Sequence, residues 1–283
     1  MIWSYYYLVN SKRYKQDPKS LLLYYQSMLD LSMKTIILIF VTVEVISFSF
    51  YFLLYSYQDF NLTNILSAAF IVYFLLVLLV KSNESFFSIN KSQSFIFLSL
   101  ASWLVAEILY GYYNGILQVD PYPSLADIFY FTGYIFFALF LCSLYRSYKI
   151  ELGVVLSSLI TFCLFIFYVL YISVFIFEVY VFTGSVIDLV LLFTYPILDL
   201  IITVGALIYF FRERDISLNK SHFSWVFIAL FGFFFFIADL IFGFNDIFSL
   251  VGEADIFDLF YNLGYICLGV SIIIRMKYTD FYK

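Results

Sequence analysis

Histidine is almost missing from this chain: His222 is the only one. A zinc hydrolase site, a bis-histidine haem or a Ser–His–Asp triad cannot be built from it within one chain. Charge is scarce as well. Charged residues fill 12% of 283 positions, about half the share of a soluble globular chain, while hydrophobic residues fill 64%. So little charge cannot clothe a water-facing surface, and so much apolar side chain excludes disorder. Eleven Gly and four Pro exclude a collagen-like chain, and three Cys exclude a disulfide scaffold. Cys142, Cys163 and Cys267 each fall inside an apolar run without CxxC spacing, and read as small buried hydrophobes. Net charge is −5 and no basic run is dense enough for nucleic acid. What remains is an all-α, polytopic integral membrane helix bundle, with the lipid bilayer as its first partner and no cofactor expected.

A helix needs about 20 apolar residues to cross the hydrocarbon core. Eight stretches meet that length: 34–56, 63–81, 94–117, 125–145, 153–176, 187–211, 222–243 and 256–276. Residues 1–33 stand apart. Lys12, Arg13, Lys15 and Lys19 precede an apolar stretch, 21–31, broken by Tyr24, Tyr25, Gln26 and Asp30. That pattern reads as a cytoplasmic or interfacial arm more than as a signal peptide.

The basic residues give the orientation. All 15 Lys and Arg fall in the N-terminal arm and its junction with the first span, in every second connection, and at the C-terminus. The four opposite connections contain none. By the positive-inside rule both termini are cytoplasmic. Asp59, Asp120, Asp127, Glu178, Asp188, Asp246, Glu253, Asp255 and Asp258 then make the outer face acidic.

The chain matches itself at an offset of 131 residues. Asp127-Ile-Phe-Tyr-Phe-Thr-Gly-Tyr134 aligns with Asp258-Leu-Phe-Tyr-Asn-Leu-Gly-Tyr265, and Lys81 with Arg212. With one residue of slippage, Glu107 aligns with Asp239 and Gly111 with Gly243. The expected organisation is an arm over 1–33, a first four-helix repeat over 34–147 and a second over 148–283. Because four is even, the repeats run parallel, related by an axis along the membrane normal.

Polar residues recur at helical spacing in both halves. Offsets of 0, 3 and 7 lie within about 60° on a helix. Glu107, Tyr110 and Asn114 have that spacing on the third span; Asp127, Tyr130 and Tyr134 on the fourth; Asp258, Tyr261 and Tyr265 on the eighth. Asp239 and Asp246, with Phe242 between them, follow it on the seventh. Gly133 and Gly264 leave room for close helix approach. These stripes are expected to face the bundle interior. Two structural readings stand beside a ligand site. Ser124-x-x-Asp127 has the form of a helix cap, and interfacial tyrosines form aromatic belts.

Glu44, Glu107, Asp199 and Asp239 lie deeper, where an acid costs roughly 2.5 kcal/mol or more on insertion scales. No basic residue is expected at that depth, so each must be protonated, hydrogen-bonded or bound to a cation. Asp199 follows Pro196, which removes the bond to the Leu192 carbonyl and kinks the helix. A hinge and a cation or proton site are both open readings there.

Pro121-Tyr-Pro-Ser-Leu-Ala-Asp-Ile-Phe-Tyr-Phe-Thr-Gly-Tyr134, Tyr195-Pro-Ile-Leu-Asp199 and Asp258-Leu-Phe-Tyr-Asn-Leu-Gly-Tyr265 resemble segments of the polytopic sensor region of bacterial diguanylate cyclases and archaeal membrane signalling proteins, including histidine kinases. The resemblance implies a membrane sensory module over spans three to eight. The fused cyclase, kinase or phosphodiesterase domain is expected to be absent, since the sequence ends at Lys283. A cytoplasmic face with fifteen basic against seven acidic residues would dock a signalling partner or anionic lipid. A proton- or cation-coupled carrier is the second expectation, and a subunit among other membrane subunits the third. No nucleophile–base pair is visible, so an enzyme is not expected.

Overall fold

The computed structural model describes residues 38, 41–42, 91–144, 152–178, 185–216, 222–248 and 256–278. The arm and the spans expected over 34–56 and 63–81 lie outside them, as does Glu44, apart from the helical residues Leu38, Val41 and Thr42. Those three belong to a compact unit, Met1–Val45, in which the Thr42 hydroxyl donates to the Leu38 carbonyl at 2.7 Å.

The described part of the second unit, Ile46–Lys283, is built of helices. α1 is Lys91–Gly111, continued by a π-helical turn, Tyr112–Leu117; α2 is Leu125–Ser143, α3 Leu152–Glu178, α4 Val186–Ile216, α5 Phe223–Ile247 and α6 Ile256–Tyr278. Among the described residues, five apolar stretches are long enough to cross a membrane: Ser94–Leu117, Leu125–Ser143, Ser157–Val174, Val186–Phe211 and Phe223–Ile247. α6 carries a shorter one, Leu259–Arg275. This is a helical membrane bundle, the form lipid demands because a helix satisfies its backbone groups internally.

Local chemistry sets the helix ends. Pro121 and Pro123 stop the chain from continuing as helix, and Ser124 then caps α2: its hydroxyl accepts from the Ala126 N–H at 3.1 Å, while Asp127 Oδ2 accepts from the Ser124 N–H at 2.6 Å. Ser185 and Asp188 cap α4 the same way, Asp188 Oδ2 accepting from the Ser185 N–H at 2.6 Å and Oδ1 from the Ser185 hydroxyl. α1 ends differently. Its last turn widens to π-helix, and Gln118 stops it in the left-handed region at φ 53°.

Each helix buries one stripe. On α1 the buried positions Ile96, Ser99, Leu100, Trp103, Ala106 and Glu107 recur every three or four residues. α1 packs on α2, α5 on α6, α4 on α5 and α3 on α4, with a lighter contact between α2 and α4. Trp103 sits at the centre, its ring 5.6 Å from Tyr134, 5.9 Å from Phe137 and 5.4 Å from Phe231. Glycines permit this closeness. A Cβ on Gly133 would strike the Trp103 indole, one on Gly264 would meet Phe235 at 2.5 Å, and one on Gly232 would meet Thr203 Oγ1 at 2.5 Å and the Asp199 carbonyl at 2.9 Å.

One reading changes. Cys142 and Cys163 are exposed rather than buried, and only Cys267 is partly enclosed; a thiol is apolar enough to face lipid, so an apolar run does not say which side of the helix it occupies. Pro196 is buried inside a helix that continues through it. The Tyr168 hydroxyl donates to the Phe193 carbonyl, beside the Leu192 carbonyl that proline cannot reach.

Gly232→Ala must push α4 and α5 apart and is expected to cost roughly 1–3 kcal/mol. Gly111→Ala, where a Cβ would meet nothing within 4 Å, is expected to be neutral or to stabilise. Unfolding in mixed detergent micelles separates the two; equal effects would mean the α4–α5 approach is looser than described.

Candidate functional site

The buried stripes of α1, α2, α4, α5 and α6 carry carboxyls and phenols that hydrogen-bond across helix boundaries. Glu107 on α1 is nine-tenths buried, and its Oε1 accepts from the Tyr265 hydroxyl of α6 at 2.7 Å. Tyr130 of α2 approaches the same carboxyl, with Tyr110 beside it. Glu107 and Trp103 are four residues apart on one face, so the helix that seats the indole also turns the acid inward.

Asp199 on α4 is completely buried, and its Oδ1 accepts from the Tyr134 hydroxyl of α2 at 2.6 Å. Its carboxyl lies within hydrogen-bonding reach of Asp239 on α5, whose Oδ1 accepts from the Tyr261 hydroxyl of α6. Asp199 Oδ2 and Asp239 Oδ2 are buried with no hydrogen-bond donor. Gly232 on α5, without a side chain, lies against the Thr203 hydroxyl and the Asp199 carbonyl of α4, which are bonded to each other at 2.9 Å, and so lets the two helices come close where the acids meet.

Asp127 joins from the end of the bundle. One oxygen caps α2, and the other accepts from the Tyr195 hydroxyl of α4 at 2.6 Å. The cap is therefore real, and it also ties α2 to α4. Tyr195 stacks on Phe131 at 5.1 Å and meets the Tyr130 ring edge-on at 6.4 Å. In the loop before α2, the Tyr122 hydroxyl donates to the Asp188 carbonyl at 2.8 Å. Burial, and after it the charge of Asp127, holds the Tyr122 phenol well above its usual range, so it remains a donor.

Of the residues singled out in the sequence, Glu107, Tyr130, Tyr134, Asp199, Asp239, Tyr261 and Tyr265 lie in this network, with Asp127 linked through Tyr195 and Tyr110 at its edge. Asn114 is exposed on the π-helical turn, away from the buried stripe of α1. Asp246 is half-buried near the end of α5, within electrostatic reach of Asp120 and Asp188. The Asp258 side chain lies outside the described residues. Sequence reasoning left out Tyr195 as a donor, although its place one turn before Asp199 on the same face signals it. The meeting of Asp199 with Asp239 carries no local signal.

Among the described residues no group of three or more His, Cys, Asp and Glu comes together to hold a metal ion. The arrangement can hold protons, break and remake tyrosine–carboxyl bonds, and transmit a change at one acid to a neighbouring helix. Set against family models, curated proteins and solved structures, the chain matches none.

Tyr265→Phe takes one hydroxyl donor from the buried Glu107 carboxyl and is expected to destabilise by roughly 1–3 kcal/mol. Tyr112→Phe, on a side chain 45% exposed, is expected to change nothing measurable. Detergent unfolding of both variants checks this, and an unaffected Tyr265→Phe protein would place Glu107 in a different environment.

Proposed function

We propose that this chain is a sensor or receptor-type module of the cell membrane that takes a cation or small ligand from the non-cytoplasmic side and signals through a separate partner. The observation that carries the reading is the linkage of every described buried carboxyl to a tyrosine on another helix. A ligand that engages one acid must compete with an inter-helix bond, so occupancy changes how helices are held together. The resemblance to polytopic sensor regions agrees with it.

The proposal includes eight spans in two parallel four-helix repeats, with both termini cytoplasmic. Paired contacts at matching offsets support the repeat: Gly133 faces Trp103 as Gly264 faces Phe235, and Tyr130 approaches Glu107 as Tyr261 bonds Asp239. The distribution of Lys and Arg supports the orientation.

A proton- or cation-coupled carrier is the second reading, favoured by the carboxyl pair on α4 and α5, with Pro196 interrupting the backbone ladder of α4. One screen separates them. Purified protein is heated with Na+, K+, Mg2+ or Ca2+ chloride, or with a panel of amino acids and sugars, and vesicles containing it are assayed for flux under an imposed proton gradient. A sensor is stabilised by one probe, by about 2.7 kcal/mol at a hundred times its Kd, loses that shift in Glu107→Gln, and passes no flux. Flux abolished by Asp199→Asn establishes the carrier instead, and neither response in any condition contradicts both.

A further inference from the structure

Every tyrosine–carboxyl bond of the network uses one oxygen of its acid, and in two acids the other oxygen is left over. Asp199 Oδ2 and Asp239 Oδ2 are both buried without a donor, on residues 0% and 7% exposed, and their carboxyls face each other. Two ionised carboxylates in such contact repel strongly in a low-dielectric interior. A single proton turns that repulsion into a hydrogen bond and satisfies both oxygens at once. A Ca2+ ion takes about six to eight oxygen ligands, and the pair leaves only two open.

We propose that Asp199 and Asp239 together bind one proton, held between their Oδ2 atoms, and that this proton is a ligand of the site and the fastening between α4 and α5. The inference deepens the reading above, since it rests on the same network, and it assigns that network a proton as one ligand.

The surroundings suit this role. Tyr134 from α2 and Tyr261 from α6 already donate to the two Oδ1 atoms, which fixes both carboxyls and leaves only Oδ2 to share. The other titratable groups within electrostatic reach of Asp239 are also phenols, on which its charge acts: Tyr168 and Tyr171 from α3, Tyr195 on α4, Tyr265 from α6 and Tyr122 from the loop before α2. Glu107 on α1 stands behind Tyr265. Among the described residues no basic side chain acts on either aspartate. The positions matching Asp199 in the first half of the chain are Ala68 and Ser67, so only one half carries the pair.

The sign of the pH dependence follows from proton counting. The folded protein holds a proton that the unfolded chain releases at neutral pH, so stability falls as pH rises and the shared proton leaves. The test follows the thermal midpoint of the full chain in nanodiscs from neutral to alkaline pH for wild type, Asp199→Asn and Asp239→Asn. Tyrosine ionisation lowers all three curves alike, so the difference between them is the readout. An amide carries permanent hydrogens, and either variant is expected to lack the wild-type alkaline drop; coincident curves overturn the proposal. Should both variants fail to fold, infrared spectra of wild type with isotope-labelled aspartate carboxyls decide: a protonated aspartic carbonyl band at neutral pH that disappears with alkali supports the pair, and its absence overturns it. These measurements use no added ligand. A silent ligand screen with this pH difference present removes the sensor reading alone, and the converse removes the proton pair alone.

Discussion

A carboxyl group inside a membrane bundle has no water to turn to, and this chain offers it almost no cation. That constraint organises the described structure. Glu107, Asp127, Asp199 and Asp239 each accept a hydrogen bond from a tyrosine hydroxyl, and in each case the tyrosine stands on a different helix from its acid. Tyrosine suits this purpose: its ring packs with the apolar neighbours while its hydroxyl reaches an acceptor. With 27 Tyr and one His, the composition already favours this donor. The bonds run from α1 to α6, from α2 to α4 and from α5 to α6, so the network holds together helices whose apolar surfaces gain little from meeting one another in lipid.

The aromatic centre and the glycines set the distances at which these bonds form. Gly133 admits the Trp103 indole, Gly264 admits Phe235, and Gly232 lets α5 approach the Asp199 carbonyl. Phe231, Phe235 and Phe137 close around Trp103, beside the tyrosines that bond the acids. Packing and polar bonding therefore depend on each other: widening a glycine contact removes a phenol from its carboxyl. At the far end of the bundle Arg275 lies 4.3 Å over the Trp225 ring, where an aromatic face does for a cation what the phenols do for the acids.

Class and helix positions are legible in the amino-acid order because they depend on the length and polarity of runs; the stretches read over 94–117, 125–145, 153–176, 187–211 and 222–243 each coincide with an apolar helix of spanning length. The inward direction of Glu107, Tyr134 and Tyr265 is legible for a similar reason, since three- and four-residue spacing fixes a helix face. What spacing cannot give is the partner on another helix. Tyr195 reaches back to Asp127, and Asp199 meets Asp239, only because α4 packs on α5 and touches α2. The capping role of Asp127 and its place in the network were alternatives in the sequence, and the two oxygens of one carboxylate serve both.

Whether tyrosine–carboxyl bonds hold these helices together is most directly measured by a double-mutant cycle on Tyr134→Phe and Asp199→Leu, which removes the acceptor, read by unfolding in a bilayer mimic. Removing either partner should expose the same loss, so the two changes are expected to be non-additive, with a coupling of about 1 kcal/mol or more, toward the upper end for polar pairs inside membranes. Effects that add to within about 0.3 kcal/mol would show that the two side chains do not depend on each other, and would contradict the network as the tie between α2 and α4.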